Sequence, residues 1–177
     1  LDDLHMMALK ALLPAFLGGT PRKALVGADL ERINTMWHRL KAWPDAPQGL
    51  KRIKAGHVIG TMSNGNVALL TNMAKFAGLP WDLVFSAEWV LHYKPDRECY
   101  LSAPRMLGLK PAEVMLVAAH KSDLDGAKKA GLMTCFVPRP MEYGRAFLAS
   151  GKYDASFEKR FDCNASDFVD LASQLGR

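Results

Sequence analysis

The chain predicts an α/β fold of the Rossmann-like, doubly wound type, a parallel sheet with helices on both sides. Three observations carry that expectation. Short runs such as Val58-Ile59-Gly60-Thr61-Met62 and Val114-Met115-Leu116-Val117-Ala118 are apolar on both faces, as strands buried in parallel sheets are. Segments with helical spacing, most of them closed by a glycine, alternate with these runs. Polar residues gather just past strand ends, where such sheets bind ligands: Ser63-Asn64 after one run, His120 and Asp123 after another.

The elements follow in order. Leu4, Met7, Ala8, Ala11, Leu12, Ala15 and Phe16 recur at helical spacing, with Pro14 expected to kink or shorten that helix and Gly18-Gly19 to stop it. A second helix is expected from an Asp29 N-cap, with Leu30, Ile33, Trp37 and Leu40 on one face. Trp43-Pro44-Asp45-Ala46-Pro47 is a stiff connector, and a short helix from Gln48 to Ala55 ends at Gly56. After the strand at 58–62, Ser63-Asn64-Gly65-Asn66 introduces a helix from Val67 to Ala77, closed by Gly78. This tetrapeptide has two readings. It is a turn with an N-cap, or its helix N-terminus offers free N–H groups to an anion.

Leu83-Val84-Phe85 reads as a strand and His92-Tyr93-Lys94-Pro95-Asp96 as a loop. Pro95 is placed to start a helix running through Tyr100 to Leu107, interrupted by Pro104 and closed by Gly108. The strand at 114–118 leads to a helix from about Asp123 to Ala130, capped by Gly131, and Thr134-Cys135-Phe136-Val137 is the next strand. Residues 141–158 read as loop, Phe161-Asp162-Cys163 as an edge strand, and Ser166 as the cap of a closing helix. The helical leader is expected to form a lid over the strand ends.

The 177 residues suffice for one ordinary α/β domain with a small appendage. Apolar content of 49% and charged content of 23% are those of a globular protein. No apolar run approaches the ~20 residues that span a bilayer, and Leu1-Asp2-Asp3-Leu4-His5 has no secretory n-region. The chain lacks an initiator methionine, which suggests that it begins within a longer protein. Cys99, Cys135 and Cys163 are odd in number and widely spaced, giving no disulfide framework and no metal-binding pair, so a reducing cytoplasm is expected. The net charge of +5 comes without an aromatic-interleaved basic tract, so nucleic acid is not an expected partner and small anionic substrates are weakly favoured.

Taken singly, Lys94 reads as a solvated lysine and Asp123 as an N-cap. The ordered set is more specific. Thr61-Met62-Ser63-Asn64-Gly65-Asn66, then Tyr93-Lys94-Pro95-Asp96 with Tyr100 six residues past the lysine, then Val117-Ala118-Ala119-His120-Lys121-Ser122-Asp123 with Gly126-Ala127, resembles three motifs of the haloacid dehalogenase superfamily. Trp43-Pro44-Asp45-Ala46-Pro47, Ala77-Gly78-Leu79-Pro80-Trp81-Asp82 and Arg139-Pro140-Met141-Glu142-Tyr143-Gly144 are similar to wording in its type II 2-haloacid dehalogenases.

The resemblance implies a partial helical cap over residues 1–47 and a Rossmann-like core over residues 48–177, incomplete at its N-terminus. It implies hydrolysis of small 2-haloalkanoic acids to 2-hydroxy acids, without cofactor or metal, through an ester on an aspartate. Lys94 would hold the nucleophilic carboxylate, and Ser63 would bind the substrate carboxylate or orient the nucleophile. Asn64 would help hold substrate and halide, Asp123 would position or activate water, and Tyr100 would support the site. A homodimer is usual for the family.

Three departures stand out. The family's nucleophile lies on a first, central strand that this chain does not contain, so the 177 residues alone are expected to be inactive. Ala118 replaces a serine. His120 replaces an asparagine and Ser122 an indole-bearing residue. His120 either substitutes for the amide as a substrate contact, the favoured reading, or takes over water activation. Two alternatives stay open: a magnesium-dependent phosphatase of the same superfamily, disfavoured because Ala119 stands where a metal-binding acid is needed, and a non-catalytic remnant.

Overall fold

The computed structural model describes residues 1–16 and 27–176. In chain order these form α1 (Asp2–Phe16), α2 (Gly27–Asn34), a 3-10 turn (Thr35–Arg39), α3 (Ala46–Lys54), β1 (Gly60–Ser63), α4 (Val67–Ala77) and β2 (Leu83–Ser86). There follow α5 (Arg97–Leu107), β3 (Met115–Ala118), α6 (Lys121–Ala130), β4 (Met133–Phe136), α7 (Gly144–Ala149), β5 (Cys163–Asn164) and α8 (Phe168–Gln174).

Every strand pairing among the described residues is parallel, as the doubly apolar strands require. Gly60 of β1 stands opposite Leu83 of β2 and Ser63 opposite Ser86. β4 lies between β3 and β5, with Met115 opposite Met133 and Cys135 opposite Cys163. The sheet is therefore in two pieces, β2-β1 and β3-β4-β5, and β1 and β3 each keep one unpaired edge among the described residues.

Alternation along the strands sends side chains into two cores. Cys135 and Val137 join Leu50, Ile53 and Leu171 beneath α3 and α8, with Met115 and Val117 packed against them. Phe136 and Leu116 join Tyr100, Leu124 and Ala127 beneath α5 and α6. Full burial of a side chain such as Leu124 or Leu171 contributes about 2 kcal/mol. α3 and α8 cross closely because residue 49 is glycine. A Cβ there would sit 2.5 Å from the Phe168 backbone.

One partly buried carboxylate ties three segments together. Asp45, at the start of α3, accepts both Arg139 guanidinium nitrogens at 2.8 and 2.7 Å and the Phe168 amide of α8 at 2.9 Å. Burial works to raise the Asp45 pKa, but these hydrogen bonds and the Arg139 charge outweigh it and hold it below the ordinary carboxylate value. Arg139 also lies over the Trp43 and Phe168 rings at 5.3 and 5.4 Å.

Several local expectations are corrected. The second helix starts at Gly27 and tightens into the 3-10 turn after Asn34, with Trp37 and Leu40 largely exposed. A polar network holds it there instead of an apolar stripe: Asn34 donates to the Asp2 carbonyl, and His38 bridges the Asp2 carboxylate and Asn72 of α4. α1 runs through Pro14 to Phe16, and α5 through Pro104, whose ring is fully buried. Pro95 lies before α5, joined to Lys94 by a cis peptide, and Asp96 is the residue before the helix. α7 forms within the expected loop, and Asp167, not Ser166, caps α8 by accepting the Asp170 amide at 2.8 Å. The expected Gly18-Gly19 stop lies outside the described residues. Among the described residues no helix is long and apolar enough to cross a membrane.

Candidate active site

The C-terminal ends of β1 and β3 meet at Lys94. Just past β1, the Asn64 side chain clasps the Lys94 backbone from both sides, accepting its N–H at 2.7 Å and donating to its carbonyl at 3.2 Å. That clasp fixes a loop residue 30 positions away in sequence. The Lys94 ammonium then reaches Asp123, in the first turn of α6, at 2.6 Å, with both side chains about one-fifth exposed. The other Asp123 oxygen accepts the Tyr100 hydroxyl at 2.8 Å.

Tyr100 is essentially buried. Burial first, and then the Asp123 carboxylate beside it, push its pKa well above the ordinary value, so the phenol remains a donor. Gly126 makes this reach feasible, because a Cβ there would fall 2.5 Å from the Tyr100 hydroxyl oxygen. Both Asp123 oxygens are thus engaged, by a cation and by a phenol. Such charge-assisted hydrogen bonds are strong and fix the carboxylate in place.

The tetrapeptide after β1 behaves as a turn. Ser63 Oγ accepts the Gly65 amide at 3.0 Å, and Ser86 Oγ donates to the Gly65 carbonyl at 2.6 Å. The Val67 amide at the start of α4 is bonded to the Glu88 carboxylate at 2.9 Å. The anion expected at that helix end is, for this amide, the protein's own Glu88.

Ser63, Lys94 and Asp123 border a cavity of about 670 Å³ lying between β1 and β3. Its body is apolar, with Met62, Leu116 and Val117 among the strand residues that line it. His120 stands outside this lining, half exposed, as the residue preceding α6. Its Nε2 lies 2.9 Å from Glu142 and 3.4 Å from the Tyr143 hydroxyl, whose ring stacks on the imidazole. The fold brings Ser63, Asn64, Lys94, Tyr100 and Asp123 to one end of this cavity and leaves His120 apart from them. Sequence reasoning missed Glu142 and the steric role of Gly126, although both belong to stretches that carried the resemblance.

A magnesium site fits these residues poorly. Ala119 brings no side-chain oxygen, and Asp123 has both oxygens engaged. Among the described residues no three His, Cys, Asp or Glu side chains converge as ligands.

The sequence model of the haloacid dehalogenase-like hydrolases matches residues 6–131, most of the chain. The chain belongs to that family. Among haloacid dehalogenase-like hydrolases, (S)-2-haloacid dehalogenase 4A of Burkholderia cepacia is 36% identical over 119 residues, 64% of this chain and 52% of that protein. The L-2-haloacid dehalogenase PA0810 superposes with a TM-score of 0.89 at 45% identity, covering 98% of this chain and 73% of that one. The defluorinating L-2-haloacid dehalogenase Rha0230 does so with a TM-score of 0.88 at 40% identity, covering 99% and 69%. Pyrophosphatase PpaX of Bacillus cereus (strain AH820) is 32% identical over 97 residues, 55% of this chain and 42% of that protein. The chain spans about half the length of the curated relatives it matches.

Proposed function

We propose that these residues form the substrate-holding part of a cofactor-independent 2-haloacid dehalogenase whose nucleophilic aspartate lies on a strand outside residues 1–177. The observation that carries the reading is the Lys94–Asp123–Tyr100 cluster at the end of an apolar cavity between two unpaired strand edges. An ammonium has three donors, so Lys94 keeps capacity for a second carboxylate beyond Asp123.

The reaction runs in two steps. A carboxylate oxygen attacks C2 of the haloacid, the C2–halogen bond breaks, and halide leaves with the electron pair. Water then adds to the ester carbonyl, the acyl C–O bond breaks, and the 2-hydroxy acid and the free carboxylate are released. Lys94 stabilises the nucleophile before attack. Ser63 binds the substrate carboxylate, Asp123 orients the water, and Tyr100 holds Asp123. Asn64 acts through the Lys94 backbone it clasps. His120, held by Glu142, is read as a substrate contact. Residues 1–47 are read as the cap, residues 48–177 as the core, and the assembly as a homodimer.

The test is halide release from 2-chloropropionate by the chain joined to an upstream Asp-bearing strand. Release undiminished by EDTA, and absent from residues 1–177 alone, supports the reading. Magnesium-dependent hydrolysis of p-nitrophenyl phosphate in place of halide release would establish the phosphatase alternative.

A further inference from the structure

Two of the three cysteines face each other across a strand pair. Cys135 of β4 stands directly opposite Cys163 of β5 in parallel register. Residues opposite one another on neighbouring strands put their side chains on the same face of a sheet. Here that face is the core beneath α3 and α8, where Cys163 packs against the cluster that holds Cys135 and Leu171. The two thiols are in hydrogen-bonding contact. The register is pinned on both sides of the pair. Before it, the Asp162 carboxylate accepts the Thr134 amide at 2.8 Å and the Thr134 hydroxyl at 2.9 Å. After it, the Ala165 amide donates to the Phe136 carbonyl at 3.0 Å. Neighbouring strands lie about 4.8 Å apart, inside the roughly 4.4–6.8 Å between Cα atoms that a disulfide spans. A bond between these sulfurs therefore asks for side-chain rotation and no change of register.

The two cysteines differ in access. Cys135 is fully buried, whereas Cys163, on β5, keeps part of its surface. The Cys163 thiol donates to the Gln174 side-chain oxygen at 3.4 Å. Burial first, then the Cys163 contact and the Asp170 charge, push the Cys135 pKa well above the ordinary thiol value, so Cys135 keeps its proton. Cys99 is a poor competitor. It is buried in α5, donates to the His92 carbonyl at 2.7 Å, and burial raises its pKa.

We propose that Cys163 and Cys135 form a thiol pair oxidised by hydrogen peroxide, with Cys163 the attacked sulfur and Cys135 the one that closes the disulfide. The Cys163 thiolate attacks one peroxide oxygen, the O–O bond breaks, and hydroxide leaves and is protonated to water. Cys163 is then a sulfenic acid. The Cys135 sulfur attacks the Cys163 sulfur, the S–O bond breaks, and the Cys135 proton goes to the departing oxygen as a second water leaves. Two thiols have lost two hydrogens, and one peroxide has become two waters. Only the first step needs entry from solvent, so burial of Cys135 is no obstacle. The bond closes a loop over residues 136–162, which carries Arg139, Glu142 and the Lys121 partners Asp154 and Glu158. A small thiol such as glutathione reopens it by attack at the exposed side of Cys163.

The experiment treats the folded 177-residue chain with a small molar excess of hydrogen peroxide. Remaining thiols are alkylated in denaturant, and the bonds are located by proteolysis without reductant and mass spectrometry. An intramolecular Cys135–Cys163 disulfide is expected, with Cys99 recovered alkylated and dithiothreitol restoring all three thiols. In urea the pairing should be shared with Cys99. Cys135→Ala should stop at a Cys163 sulfenic acid that dimedone traps, and Cys163→Ser should slow peroxide consumption by the thiols at least about tenfold. Sulfinic acid at Cys163 beside a free Cys135 thiol overturns the proposal, as does oxidation of Cys99 ahead of Cys163. The same mixture of pairings in buffer and in urea, or a bond formed only between chains, overturns it too.

Discussion

At the scale of residues, the site turns on a lysine and a carboxylate that lie 29 positions apart in sequence and 2.6 Å apart in space. Replacing Lys94 by alanine leaves Asp123 a partly buried anion without its cation. Halide release in the strand-completed protein should fall by at least about 100-fold, with circular dichroism unchanged. Lys94→Arg should not rescue it, because a planar fork does not replace a compact ammonium. Tyr100→Phe strips a donor from Asp123 and should lower unfolding free energy by about 1–3 kcal/mol, measured by urea denaturation. Asp123 was legible because it opens a helix just past a strand, whereas Lys94 and Tyr100 were legible through the motifs that carry the family resemblance. The Asn64 clasp and the Glu142–His120 pair were not legible. Each depends on how far a loop folds back, which no local pattern encodes.

At the scale of elements, the contact between α3 and α8 is the most sensitive to size. Gly49→Ala places a methyl 2.5 Å from the Phe168 backbone, where no rotamer change relieves the clash. About 1–3 kcal/mol of stability should be lost, read as a lower urea midpoint. Strand and helix order was legible from apolar runs and closing glycines. Gly78, Gly108 and Gly131 end their helices in the left-handed conformation as anticipated. Element ends were less so. The 3-10 turn at Thr35–Arg39 answers to buried Asn34 and His38, and their partners Asp2 and Asn72 come from other helices. Pro104 stays within α5 because burial of its ring offsets one missing backbone bond.

At the scale of the whole molecule, Asp45 and Arg139 join the start of α3, the stretch after β4 and the start of α8. The folded Asp45 pKa is depressed, so its contribution is fully present above the unfolded value of about 3.9. It is lost as pH falls through the depressed folded value. Stability should therefore drop below about pH 4, and Asp45→Asn should flatten that part of the curve while lowering stability at pH 7. Thermal melts from pH 2 to 7 check both.

Among the described residues the sheet stands in two pieces around an apolar cleft. Doubly apolar strands made the α/β class legible. The division did not follow from the strands themselves, since each reads as central whether or not its neighbour is present.

The central claim is that a carboxylate presented in that cleft attacks the haloacid before water does. Single turnover of the strand-completed protein in ¹⁸O-water tests it most directly. Unlabelled 2-hydroxy acid is expected from the first turnover, with the label left in the protein carboxylate. Label in the first-turnover product would mean that water attacks C2 directly, and the covalent account would be wrong.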